Sequence, residues 1–210
     1  MATLVIRRIF KNNLQVMSSL ISLETDYVTD PQARRLFAET QSRVRSMAII
    51  HEELYQSKDL ARVNFADYIH RLTSGLMQIY AAHPNIDLHL DIAEVYLGVD
   101  TAIPCGLIIN ELMTNALKYA FPNGRPGVIT VVLETNTNAE SKRNYILTLQ
   151  DNGIGLPTNF NFNNTTTLGL QLVSILIAQL KGEIKINSHN GTQFTLLFSE
   201  ANPEKTPAVK

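Results

Sequence analysis

The chain has 210 residues, enough for one large or two small domains, and is 45% hydrophobic and 18% charged, an ordinary globular composition. Its net charge of −1 gives no basic footprint for nucleic acid, and its single cysteine, Cys105, excludes an internal disulfide framework. The N-terminal "MATLVIRRIF" lacks the apolar core and cleavage site of a signal peptide, and the apolar-rich run 168–180 is too short for a bilayer, so the sequence predicts a soluble, cytoplasmic chain without a membrane segment.

Ile6, Phe10, Leu14, Met17 and Ile21 recur at helical spacing and predict a first amphipathic helix. Lys11, Asn12 and Asn13 interrupt it with polar residues, two of them poor helix formers. Pro31 then marks a second helix start with Asp30 as N-cap. Ala33, Phe37, Thr40, Val44, Met47, Ile50 and Leu54 form the stripe of that helix. Two helices with a short connection make an antiparallel hairpin, and two hairpins paired in a four-helix bundle would bury both stripes. The alternative is that the hairpin packs on the rest of its own chain.

After the polar segment 55–64 the pattern changes. Residues 65–81 and 100–121 read as helices, the second capped by Asp100 or Thr101. "IDLHLDI" (86–92), "GVITVVLET" and "NYILTLQD" read as strands, with a polar loop between the last two. "TLGLQLVSILIAQLKG" reads as a helix closed by Gly182, and "EIKINS" and "TQFTLLFS" as strands around the turn "HNG". The expected domains are a helical hairpin (1–57), a linker (58–64), an α/β layer of mostly antiparallel sheet with three helices on one face (65–200), and a disordered tail (201–210).

Glu111 and Asn115 are four apart on one helix, so they share a face, and Lys118 lies near it. Such a row suits a metal-phosphate ligand: Asn is a hard oxygen donor for Mg²⁺, Glu can take a proton, and Lys can pair with phosphate. A solvated helix face reads equally from these residues. In "DNGIG" (151–155), Asp151 at a strand end could accept from an amino group while the glycines let backbone approach a ligand, or the motif is only a turn. Gly169 at a helix start could expose amides to phosphate or serve packing. "GTQF" (191–194) could be only a hairpin.

The order of these motifs resembles the ATP-binding domain shared by gyrase, heat-shock chaperones, mismatch-repair ATPases and histidine kinases. Residues 107–121 look like its N box, 151–155 like its first glycine box and 167–172 like its second. The resemblance implies ATP and Mg²⁺ as ligands, Glu111 as the catalytic base and Asn115 as the Mg²⁺ holder. It implies further ATP contacts from Lys118, Tyr119, Asp151, which reads the adenine amino group, Gly153, Gly155, Leu168, Gly169, Leu170 and Thr192. Residues 156–166 would be the mobile ATP lid.

"KNNLQVMSSLISLE" and "RVRSMAIIHEELYQSKDLARVNFADYI" resemble the dimerisation helices of one histidine kinase subfamily, whose phosphoacceptor box reads H-H-R-V-K-N-N-L-Q. The fold so implied is α+β: a helical hairpin forming a dimeric four-helix bundle, then an α/β sandwich that binds ATP. A homodimer and a response regulator are the implied partners. Aligned on K-N-N, Arg7 and Arg8 stand where the histidines belong and Ile9 where the Arg belongs. No phosphoacceptor is present, and His51 is usual in the subfamily beside the normal acceptor. Two accounts stay open: a frame that begins inside a longer sensor kinase, or a short protein that keeps ATP binding without autophosphorylation. The function classes are a histidine kinase core, a non-catalytic ATP-responsive dimerisation module, and a serine or threonine kinase acting on a separate protein.

Overall fold

The computed structural model describes residues 13, 16–25, 27–56, 62–80, 85–137, 143–165 and 167–200. Arg7, Arg8, Ile9 and most of the polar box, the tail 201–210 and the side chain of His51 lie outside them.

Residues 16–25 are helical (α1), and the chain turns at 28–30 into α2 (Pro31–Gln56). The start of α2 follows its sequence: Asp30 Oδ2 accepts from the Ala33 amide at 2.8 Å, and Pro31 sits at the first position, where no amide donor is needed. β1 (Arg62–Asn64) leads directly into α3 (Phe65–Ile79), whose N-cap Asn64 accepts from the Asp67 amide. β2 (Ile86–Ile92) and β3 (Tyr96–Gly98) precede α4 (Val99–Asn115), which continues as a π turn, Ala116–Ala120, and a short 3₁₀ segment, Pro122–Gly124. β4 (Gly127–Thr137), β5 (Arg143–Asp151), α5 (Leu168–Gln179), β6 (Glu183–Asn187) and β7 (Thr192–Ser199) complete the order.

The main sheet runs β2-β4-β5-β7-β6, with β2 parallel to β4 and the other pairs antiparallel. In β7 the residues Thr192, Phe194, Leu196 and Phe198 point inward and are buried, while Gln193, Thr195 and Leu197 alternate on the other face. Ile129, Val131, Leu133, Tyr145, Leu147 and Leu149 extend the inward face across β4 and β5. α3, α4 and α5 cover it with Phe65, Tyr68, Leu72, Ile108, Ile109, Met113, Val173 and Leu176. The turn between β6 and β7 has Asn190 and Gly191 at positive φ, the conformation for which Asn-Gly is suited.

Four sequence expectations need correction. Residues 62–64, read as the end of a linker, are β1, which pairs with β3 and buries Val63 completely. The cap of α4 is Gly98, not Asp100 or Thr101, because β3 runs straight into the helix and Thr101 is turned into the core. The lower stripe of α2 does not await a partner helix: Val44 and Ile50 are buried, and Met47 packs on the core of α3 and α4. Val16, Met17, Leu20, Leu23, Tyr27 and Leu36 remain exposed. In 156–165, where Asn and Thr residues predict little burial, Leu156, Phe160 and Phe162 are partly buried against the core.

Candidate active site

Between α4, the π turn and the edge of β5–β7 lies a cavity of about 530 Å³. Asp151, the last residue of β5, stands opposite Thr192 of β7 in register. Its Oδ1 accepts from the amides of Gly153 (2.9 Å) and Thr192 (3.2 Å), which orient the carboxylate. Asp151 is 4% exposed. Burial raises its pKa above the ordinary aspartate value, opposed by the amides of Gly153 and Thr192 and by the Thr192 hydroxyl. Asn152 holds the turn in place, its Oδ1 accepting from the Val128 amide at 2.8 Å.

Asn115, Tyr119, Asp151, Gly155, Leu170 and Thr192 all line this cavity, with Leu112, Ile154, Leu156, Phe160, Thr167 and Phe194. The apolar walls and one buried, aimed carboxylate suit a flat heteroaromatic group with an amino substituent. Leu112, Phe160 and Phe194 were missed by sequence reasoning. Phe194 was legible from its inward parity with Thr192 on β7, whereas no pattern marked Phe160.

The other predicted residues sit around this cavity rather than on its wall. Gly153 provides close packing: a Cβ there would fall 2.4 Å from the Ala120 carbonyl oxygen. The Ile154 amide donates to that same oxygen at 3.0 Å, tying the glycine turn to the π turn. Leu168 is exposed at the first turn of α5. The N-cap of α5, Thr167, makes no side-chain cap bond, leaving first-turn amides without that partner. A Cβ at Gly169 would lie 2.5 Å from Glu111 Oε2, so this helix start abuts that carboxylate and a larger residue would displace it.

Glu111 and Lys118 are directed toward α2. Arg43 Nε donates to Glu111 Oε1 at 2.7 Å and a terminal guanidinium nitrogen donates to Oε2 at 2.9 Å. The hydrogen bond to Glu111 raises the Arg43 pKa further above its high ordinary value, against the effect of burial. Lys118 Nζ donates to Glu39 Oε1 at 2.6 Å. Burial works against its charge, but the hydrogen bond to Glu39 and nearby groups outweigh it and raise its pKa. Lys118 therefore does not share the cavity with Asn115 as helical spacing predicted, because the π turn after Asn115 changes the register of the following residues. Among the described residues no cluster of three or more His, Cys, Asp or Glu is placed to hold a metal ion.

Comparison with known proteins agrees with this geometry. Residues 8–80 match a family model described as "Histidine kinase", and residues 101–202 match one described as "Histidine kinase-, DNA gyrase B-, and HSP90-like ATPase". The sensor histidine kinase PdtaS of Mycobacterium tuberculosis is 30% identical over 176 residues, covering 83% of this chain and 34% of that protein. The blue-light-activated histidine kinase 2 of Erythrobacter litoralis is 27% identical over 183 residues, covering 84% of this chain and 50% of the relative. The chain thus spans between a third and a half of the length of these two relatives. In structure, the histidine kinase domain of the Erythrobacter litoralis EL346 blue-light-activated kinase superposes with a TM-score of 0.69 at 18% identity, over 90% of this chain and 94% of that domain. The longer form of that kinase gives 0.71 at 19% identity, over 92% of this chain and 62% of that one.

Proposed function

We propose that this chain, which belongs to the histidine kinase family, is a catalytic core that binds ATP with Mg²⁺ in the Asp151 cavity and directs phosphoryl transfer in two-component signalling. The observation that carries the reading is the placement of Asp151: a buried carboxylate, oriented by two backbone amides, in a largely apolar cavity that Asn115 also lines. The residues present fit a nucleotide. Asp151 accepts from the adenine amino group, and Leu112, Ile154, Phe160 and Phe194 cover the faces of the base. Asn115 holds Mg²⁺ through its side-chain oxygen. The glycine-bearing first turn of α5 offers uncapped amides to phosphate oxygens.

When bound, ATP would supply the γ-phosphoryl group and Mg²⁺ would offset charge on its phosphate oxygens. Glu111, one helical turn before Asn115, takes the proton of the attacking nucleophile. The acceptor is an imidazole on a helical hairpin that this chain's own box, with Arg8 at the expected position, does not supply; its nitrogen bonds to the γ-phosphorus as the β–γ bridging bond breaks and ADP leaves, and the product is the substrate of a response regulator. The exposed residues Val16, Leu20, Leu23 and Tyr27 supply the apolar surface through which two copies pair as a homodimer. No helix of the described residues is long and apolar enough to cross a membrane.

A second reading has one observation of its own: Arg8 occupies the acceptor position, and a guanidinium has no lone pair for attack. On that reading the chain is an ATP-responsive dimerisation module. Calorimetric titration of the full chain with ATP, with and without Mg²⁺, tests the shared premise. Binding should strengthen with Mg²⁺ and lose that dependence on Asn115→Ala. Absence of binding under either condition rejects both readings.

A further inference from the structure

We propose that the groove between α2 and α3 is a binding site for a small phosphomonoester, a phosphate carried on a hydroxyl-bearing body, separate from the Asp151 cavity. The groove encloses about 560 Å³. Arg45 and Ile49, one turn apart, line it from α2, and His70, Ser74 and Gln78, spaced four apart along one ridge, line it from α3. The opposite face of α3 fixes its shape. Ile69, Leu72, Thr73 and Leu76 are buried there, and Ile49 packs against the same core from α2. The walls therefore stand in place before a ligand arrives, as in most small-molecule sites.

The chemistry of the lining is one-sided. Among the described residues it holds two arginines, Arg45 and Arg71, and a histidine but no aspartate or glutamate, although the whole chain has 19 acidic residues against 18 basic ones. Arg45 differs from the arginines that hold the fold together: Arg43 pairs with Glu111 and Arg62 with Glu200. Two residues after Arg43, Arg45 faces α3 instead of α4, and among the described residues its side chain makes no hydrogen bond or ion pair. One of its terminal nitrogens lies 4.0 Å from where a Cβ of Gly75 would be, so the guanidinium reaches across the groove and lies over that glycine. The side chains of His70, Ser74 and Gln78 likewise have no partner among the described residues.

All four of these groups can donate hydrogen bonds, and the guanidinium does so as a planar fork suited to phosphate. A single carboxylate brings two oxygens to such a set, whereas a phosphate ester brings three strong acceptors and more charge. The volume exceeds a bare phosphate and falls within the range of about 300–1,000 Å³ usual for small-molecule sites. Ser74 and Gln78 are then left for the hydroxyls of the body that carries the phosphate.

The test titrates the full chain with ribose 5-phosphate, inorganic phosphate and ribose, by calorimetry and by amide shifts in nitrogen–proton correlation spectra. Ribose 5-phosphate should bind saturably, with shifts gathered in residues 45–49 and 70–78. Arg45→Gln should weaken it by about tenfold or more, as loss of a charge-assisted hydrogen bond does, while ATP affinity stays that of the unaltered chain. Ser74→Glu sets a carboxylate in the groove and should abolish binding; both residues are exposed, so neither change disturbs the core. Absence of saturation at millimolar probe, or shifts confined to the walls of the Asp151 cavity, overturns the site. Undiminished binding in Arg45→Gln overturns it whatever Ser74→Glu does, and so does an equal loss of ATP affinity, which would make the effect global. Inorganic phosphate bound as tightly as the ester leaves the larger cavity without a role and overturns the ester; ribose bound as tightly overturns the phosphate. Displacement of the ester by equimolar hexaglutamate assigns the groove to an acidic protein segment and overturns the proposal.

Discussion

Replacing Asp151 separates nucleotide recognition from folding, because its carboxylate serves both. Asp151→Ala removes the acceptor for the buried amides of Gly153 and Thr192. Each amide left unsatisfied costs about 1–3 kcal/mol, so the two together cost about 2–6 kcal/mol. Asp151→Asn keeps a carbonyl oxygen for both amides and removes a charge that burial disfavours, so its stability should stay near that of the unaltered chain. Binding should follow the opposite logic. The Asn amide presents an N–H₂ donor toward the adenine amino group, donor against donor. Losing a hydrogen bond to a charged acceptor is worth about 1.5–3 kcal/mol, or roughly 10- to 150-fold in Kd. Thermal denaturation and isothermal calorimetry on the same samples measure the two effects. The reasoning predicts a near-native melt with weakened binding for Asn, and a depressed melt for Ala. An Asn variant that binds ATP with wild-type affinity would refute the assignment of Asp151.

Further outcomes follow from the same structure. ATP affinity should fall as pH drops, because protonation removes an acceptor from Asp151, and the midpoint should lie above the ordinary aspartate value since burial raises this pKa; affinity titrations from neutral to acid pH show it. The sign for stability is opposite: with its folded pKa raised, Asp151 favours the fold most when protonated, and that contribution is lost as pH rises through the folded pKa. Gly153→Ala should destabilise by about 1–3 kcal/mol, because its Cβ meets the Ala120 carbonyl and over-packing of this kind shifts backbone; chemical denaturation checks it. Leu20→Asp with Leu23→Asp should release monomers, since burying each leucine is worth roughly 1.5–3 kcal/mol in a dimer; a wild-type chain that sediments as a monomer at tens of micromolar rejects the dimer.

Much of the ATP-binding layer was legible because its elements carry strong periods. β4, β5 and β7 alternate cleanly, α2 begins at an Asp-Pro signal, and the β6–β7 turn uses Asn-Gly. β1 and β3 are three residues each, too short to show alternation, and only their pairing makes them strands. Asn115, Asp151, Gly155 and Thr192 were readable from motif order, and they meet at one cavity. The bonds of Arg43 to Glu111 and Glu39 to Lys118 join residues 68 and 79 apart, and no local spacing encodes such a pairing. The same holds for Val44 and Ile50: helical periodicity shows that they face something, not whether it is a partner helix or their own ATP-binding layer.

The most direct measurement is transfer of label from γ-³²P ATP to the full chain, unmodified and with Arg8→His and Ile9→Arg rebuilding the acceptor box. The account predicts ATP binding by both chains, acid-labile label at position 8 only in the rebuilt one, and a loss of rate on adding Glu111→Gln, typically about 10²- to 10⁴-fold for a removed general base. A rebuilt chain that binds ATP normally yet takes up no label would contradict catalysis and leave a binding module. Label on the unmodified chain, mapped to His51 or another residue, would contradict the assignment of the acceptor.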